Sequence, residues 1–152
     1  MTLTSRLEEL GIELPAVAAP VAAYVPAVVH GDLVYTSGQL PFTAGELPAT
    51  GKVGAGVSAD DAKAYARTCA LNALAAAADA AGGLEKIVGV LRLGGFVASD
   101  PSFTGQPGVI NGASEVLGEI FGDAGRHARA AVGVPVLPLD SPVEVEVTFI
   151  LA

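Results

Sequence analysis

Arg126, His127 and Arg129 fall within four positions of a chain that holds only eight Lys and Arg among 152 residues. A run of small residues and valines follows them. An arginine fixed on a strand presents a planar fork of N–H donors that grips a carboxylate at two points. The other reading of Arg129 is a surface ion pair, because 16 Asp and Glu are available to it. Glu144 and Glu146 stand two positions apart, and such residues share one face of a strand. Side by side, one carboxyl has its pKa raised and serves as an acid or base, or both belong to a solvated sheet face. In "TSGQLP", Thr36 to Pro41, Ser37 and Gly38 close a strand where a glycine lets backbone N–H groups approach a ligand. Asn111 lies mid-helix beside Gly112, and either reaches into a site or faces solvent.

The remaining reactive types are read as structural. His30 belongs to a turn, and His127 is a neighbour of Arg129. Cys69 lies among small apolar residues, so it packs rather than attacks. Two histidines almost 100 positions apart, with a single cysteine, do not make a metal site. There is no glycine-rich phosphate loop, nucleophile elbow or dinucleotide fingerprint.

The elements that must position these residues follow from periodicity. "SRLEELGIELP" is a short helix stopped by Gly11. "PAVAAPVAAYVPAVV" spaces three prolines too closely for a helix or a central strand, and reads as an extended arm carrying Tyr24. "AVVHGDLVYTSGQLP" is a hairpin turning at His30-Gly31-Asp32. Ser58 caps a long helix, with Asp61 three residues on, and Gly82 and Gly83 stop it. Ala62, Tyr65, Ala66, Cys69, Ala73, Ala76 and Ala77 form its apolar stripe. "KIVGVLRLGGFVAS" is a buried strand. "QPGVINGASEVLGEIFG" is a second long helix, with Pro107 in its first turn and Gly122 at its stop. In "ARAAVGVPVL", Arg129, Ala131 and Gly133 share the face opposite Val132, Val134 and Val136. "VEVEVTFIL" alternates more strictly, with Val143, Val145, Val147 and Phe149 opposite Glu144, Glu146 and Thr148. After the short N-terminal helix, the order β-β-α-β-α-β-β predicts an α+β fold. One domain over 1–152 is expected, with 1–16 as an N-terminal extension.

The bulk properties narrow the partners. The net charge is −8, and the few scattered bases argue against nucleic acid. Half of the chain is apolar (51%), aromatics are 5%, and mean hydropathy is +0.54. That is high for a monomer, so apolar surface is expected to be covered by partner subunits. The N-terminus lacks a basic segment before an apolar core, and no run suits a membrane. A lone thiol fits a reducing, cytoplasmic setting.

"PVAAYVPAVVHGDLVYTSGQLP" and "ARAAVGVPVLPLDSPVEVEV" together resemble the RidA/YjgF family, formerly labelled "L-PSP endoribonuclease". The likeness covers roughly residues 17 to 151, and the segment 103–129 marks a distinct branch. It implies a chorismate-mutase-like fold: a mixed, mostly antiparallel sheet with two helices on one face, assembled as a homotrimer with ligand sites between subunits. It also implies that the last strand inserts into the middle of the sheet, although the chain order alone suggests a hairpin of the last two strands. By position, Arg129 aligns with the arginine that grips a substrate carboxylate, and Glu144 with the glutamate that positions or activates water. Tyr24, Ser37, Gly38 and Asn111 align with residues lining the cleft. Ala131 stands where the deaminases carry a cysteine. The implied reaction is hydrolysis of reactive 2-imino or enamine acids to 2-oxo acids and ammonia, without cofactor or metal. The alternative is a trimer that binds small carboxylates without turnover; a ribonuclease role sits poorly with the charge.

Overall fold

The computed structural model describes residues 1–17 and 23–152. Of the expected proline-rich arm, residues 18–22 lie outside the described residues.

Ser58 accepts a hydrogen bond from the Asp61 N–H at 3.1 Å and starts α2 (Ala59–Ala81). Asp60 and Asp61 sit at the positive end of its dipole. Gly82 ends it in the left-handed conformation (φ 82°), which releases the chain. Alanines dominate its buried face, so α2 lies close to the sheet. Of the expected stripe, all but Tyr65 are buried, and Tyr65 packs against the core. The second long helix, α3 (Gln106–Phe121), packs against α2. At their closest approach only a glycine fits: a Cβ at Gly112 would lie 2.0 Å from the Lys63 carbonyl oxygen.

Five strands form one sheet: β1 (Ala27–His30), β2 (Leu33–Thr36), β3 (Ile87–Ala98), β4 (Ala128–Val134) and β5 (Val143–Leu151). The spatial order is β1-β2-β5-β3-β4. All pairings are antiparallel except β3–β4. The last strand is therefore central, between β2 and β3, and β4 lies at an edge. The "LPLDSP" segment does not close a hairpin; it carries the chain away from that edge to the centre.

Both long helices cover one face of this sheet, where Val34, Leu93, Val97, Val143, Val145 and Phe149 are completely buried. The opposite face is open. Val28 (54% exposed), Tyr35 (47%) and Val132 (45%) lie on it. This is the uncovered apolar surface that the hydropathy requires. None of the helices among the described residues is long and apolar enough to cross a membrane.

The N-terminal helix α1 (Leu3–Leu10) contributes Leu7 to the core. Glu85 caps it from a distance: its carboxylate accepts from the Thr4 hydroxyl (2.7 Å), the Thr4 N–H (2.9 Å) and the Leu3 N–H (3.0 Å). The Thr4 hydroxyl first, then the two N–H groups, hold this carboxyl below its ordinary pKa. A depressed carboxylate supports the fold above its unfolded-state pKa, and that support is lost as the pH falls through the folded value. Acidification, or Glu85→Ala at neutral pH, is expected to speed amide hydrogen exchange in α1 while α2 stays protected. Equal protection of α1 in wild type and variant would exclude this cap.

Candidate functional site

Register assigns each candidate to a face. Leu93 pairs with both Arg129 and Val147, and Phe96 pairs with Glu144. Paired residues point the same way, so Arg129 and Ala131 lie on the helix side with Leu93 and Gly95. Glu144 and Glu146 lie on the open side with Phe96 and Gly94. The valine face of β4 is thus the open face, and Arg129 turns toward α3. Arg129 and Glu144 are two strands and three positions apart, roughly 14 Å between Cα atoms, on opposite sides of the sheet. One chain does not bring them to a common small ligand.

Around Arg129 the structure gathers the first group. Nη1 donates to Ser114 Oγ at 3.1 Å, and Nη2 donates to the Pro107 carbonyl at 3.1 Å. Residues 107, 111 and 114 fall on one side of α3 at 3.6-residue periodicity, so Asn111 lies on the helix face that Arg129 spans. Ala131 follows Arg129 on the same face of β4 and packs against the core. The alternative reading of Arg129, a surface ion pair, is not met among the described residues: five ion pairs there join Arg and Lys to carboxylates, and Arg129 is in none of them. Among the described residues its guanidinium is held by neutral oxygens, and these bonds use two of its five N–H donors. Spacing alone did not single out Ser114. The signal available was a small polar residue three positions beyond Asn111 on an otherwise apolar helix.

The second group sits where β2 leaves β5. Tyr35 pairs with Thr148, and Gln39 bridges to Val145, so Ser37 and Gly38 are one residue too many for Glu146 opposite them. The result is a bulge. Thr36 Oγ1 accepts from the Val147 N–H (3.0 Å) and restores the interrupted ladder. Buried Asn72 of α2 donates to the Leu40 and Phe42 carbonyls and fixes the chain beyond the bulge. Ser37 donates to the Val25 carbonyl at 2.6 Å, which ties the Tyr24 segment to the bulge and commits the Ser37 proton. Gly38 leaves room for Glu144: a Cβ there would lie 2.0 Å from Glu144 Oε1. Gly38 and Glu144 thereby meet, with Ser37 beside them, apart from Arg129; Tyr24 is exposed and is tied to this group only through the neighbouring Val25 carbonyl.

The two carboxylates differ. Glu146 Oε1 lies 3.8 Å from Arg92 Nη1. Glu144 is half-buried, and its pKa is raised, first by desolvation and then by the Glu146 charge. A raised carboxyl contributes stability below its unfolded-state pKa, and that contribution is lost as the pH rises through the folded value. Glu144→Gln is therefore expected to raise Tm at neutral pH and to leave it unchanged in acid. A variant less stable than wild type at neutral pH would contradict this environment.

Of the remaining candidates, Cys69 is fully buried and burial raises its thiol pKa well above normal, so it is packing. Arg126 is exposed and lies 3.8 Å from Asp123; nothing in the structure assigns it a further role.

Residues 4–150 match the family described as "YjgF/chorismate_mutase-like, putative endoribonuclease". Protein TCP17 of Trypanosoma cruzi is 43% identical over 145 residues, covering 95% of this chain and 91% of that protein. The crystal structure of Atu1372 from Agrobacterium tumefaciens, described as of unknown function, shares 44% identity at a TM-score of 0.90, covering 99% of this chain and 92% of that one. TdcF of E. coli with bound serine shares 26% identity at a TM-score of 0.65, covering 90% and 94%. Likeness to the first two exceeds likeness to the third, as a distinct branch requires.

Proposed function

Because the chain belongs to the YjgF/chorismate-mutase-like family, we propose that it hydrolyses small reactive 2-imino acids, or their enamine tautomers, in clefts between the subunits of a homotrimer. One observation carries this reading: among the described residues the Arg129 guanidinium is held by two neutral oxygens and enters no ion pair, which leaves its charge for a carboxylate. Its expected partner Glu144 lies on the other side of the sheet, so a second copy must supply it. The exposed apolar residues of the open face favour such an assembly. Serine bound to TdcF is a small 2-amino carboxylate, and its head group is the kind Arg129 would grip.

The reaction asks for little machinery. Arg129 of one subunit holds the substrate carboxylate and fixes the imine carbon in the cleft. Glu144 of a neighbour orients a water and takes its proton as the oxygen adds to that carbon. Glu144 returns that proton to the nitrogen. It then carries the hydroxyl proton of the tetrahedral adduct to the same nitrogen as the C–N bond breaks, releasing ammonia and leaving the 2-oxo acid. A carboxyl whose pKa is raised by burial and by the Glu146 charge is a stronger base than an ordinary carboxylate, which suits this exchange. Neither metal nor cofactor enters the scheme, and the single, buried Cys69 is in keeping with work in the cytoplasm. The ribonuclease in the family description fits poorly with a net charge of −8.

The test generates a 2-imino acid with an amino-acid oxidase and follows keto-acid release. Wild type is expected to accelerate release, and Arg129→Ala is not. Equal rates for the two would end the proposal. Ala131, in place of the cysteine of related deaminases, favours a second reading: capture of a small carboxylate without turnover. Calorimetric binding of 2-oxobutanoate, without any acceleration of hydrolysis, would select it.

A further inference from the structure

Within that reading of Arg129 as a carboxylate clamp, we infer that Ser114 and His127 are its positioning residues, joined to it in a one-way hydrogen-bond relay. His127 Nδ1 lies 2.6 Å from the Gly125 carbonyl oxygen. A carbonyl only accepts, so Nδ1 carries the proton. In the neutral ring Nε2 is then unprotonated and accepts. The Ser114 hydroxyl, 2.9 Å away, donates to it. With its proton committed there, Ser114 Oγ turns lone pairs toward Arg129 Nη1 and accepts from it at 3.1 Å. Every donor and acceptor points one way, from guanidinium through serine and imidazole to the backbone.

The anchor of the relay is rigid. Gly125 is buried against α3, and a Cβ there would lie 2.7 Å from the Leu117 carbonyl oxygen. The Pro107 carbonyl of the same helix fixes Nη2. The guanidinium is thus pinned at two nitrogens before any ligand arrives, so less side-chain freedom is lost on binding. All the fixing groups are neutral, so the full positive charge remains for an anion. The relay also gives His127 a role: it sets the direction in which Ser114 donates.

Nitrogen-15 NMR on the full chain tests the relay without a ligand, with the Arg129 signals assigned by their loss in Arg129→Lys. The neutral His127 ring is expected as the Nδ1–H tautomer. Guanidinium rotation at Arg129 is expected to be slow in wild type and in Ser114→Thr, which keeps the hydroxyl, and fast in Ser114→Ala and His127→Ala. An Nε2–H tautomer, or slow rotation that survives Ser114→Ala, would overturn the relay. Titration with 2-oxobutanoate gives a second readout. Ser114→Ala is expected to weaken Kd about tenfold, and Ser114→Thr by no more than about twofold. An unchanged Kd in Ser114→Ala would also overturn it. If wild type binds no carboxylate, the clamp reading fails, while the tautomer and the rotation still decide the relay.

Discussion

Replacing Arg129 by alanine is expected to weaken 2-oxobutanoate binding by at least about 100-fold, the loss of a bidentate, charge-assisted contact in a half-buried setting. Arg129→Lys should recover only a small part. A lysine ammonium keeps the charge but cannot span Ser114 and the Pro107 carbonyl while offering a fork to the ligand. The fold should tolerate both changes. Arg129 sits on an edge strand and makes two side-chain hydrogen bonds, so Tm is expected to fall by no more than about 3 °C. Calorimetry and thermal unfolding on the same samples separate the two effects. Binding by Arg129→Ala within about threefold of wild type would remove Arg129 from the site.

The largest effect on stability is expected at Gly112. An alanine Cβ would lie 2.0 Å from the Lys63 carbonyl oxygen and 2.9 Å from its carbon. Both are backbone atoms of α2, so no side-chain rotation relieves the contact, and α2 and α3 must separate. Gly112→Ala is expected to cost about 3 kcal/mol, or about 10 °C in Tm. Gly118 of the same helix provides the control. No atom lies within 4 Å of a Cβ built there. Gly118→Ala should therefore gain helix propensity, by about 0.5 to 1 kcal/mol. Because α3 also carries Ser114 and the Pro107 carbonyl, Gly112→Ala should weaken carboxylate binding as well. A Gly112→Ala melting within about 2 °C of wild type would contradict the helix packing.

Much of the fold was legible because its signals are local. Ser58, Asp61 and Gly82 bound α2 through caps, and the alternation in 143–149 separates a buried face from a carboxylate face. Alternation also set Arg129 apart from the valines of β4. It could not say which of those faces meets the helices, since that depends on the parallel pairing of β4 with β3 at a sheet edge, a contact between distant segments. The central position of β5 came from family resemblance, and the sheet order agrees with it. Ser114, Gly125 and Asn72 were invisible for the same reason: each matters through one partner far along the chain. Gly38 was noticed as a site of close approach. What the chain order did not reveal is that the approaching group is the Glu144 carboxylate.

The central claim is that Arg129 and Glu144 act together although they lie on opposite sides of one chain's sheet. Subunit mixing tests it most directly. Arg129→Ala and Glu144→Gln chains, each inactive alone in imino-acid hydrolysis, would be unfolded, combined in equal amounts and refolded. In a mixed trimer some clefts pair an intact Arg129 with an intact Glu144 from the neighbour. Hydrolysis is then expected to recover to about one quarter of the wild-type rate, the fraction of such clefts under random assembly. Mixed trimers no more active than either variant alone would contradict the shared site.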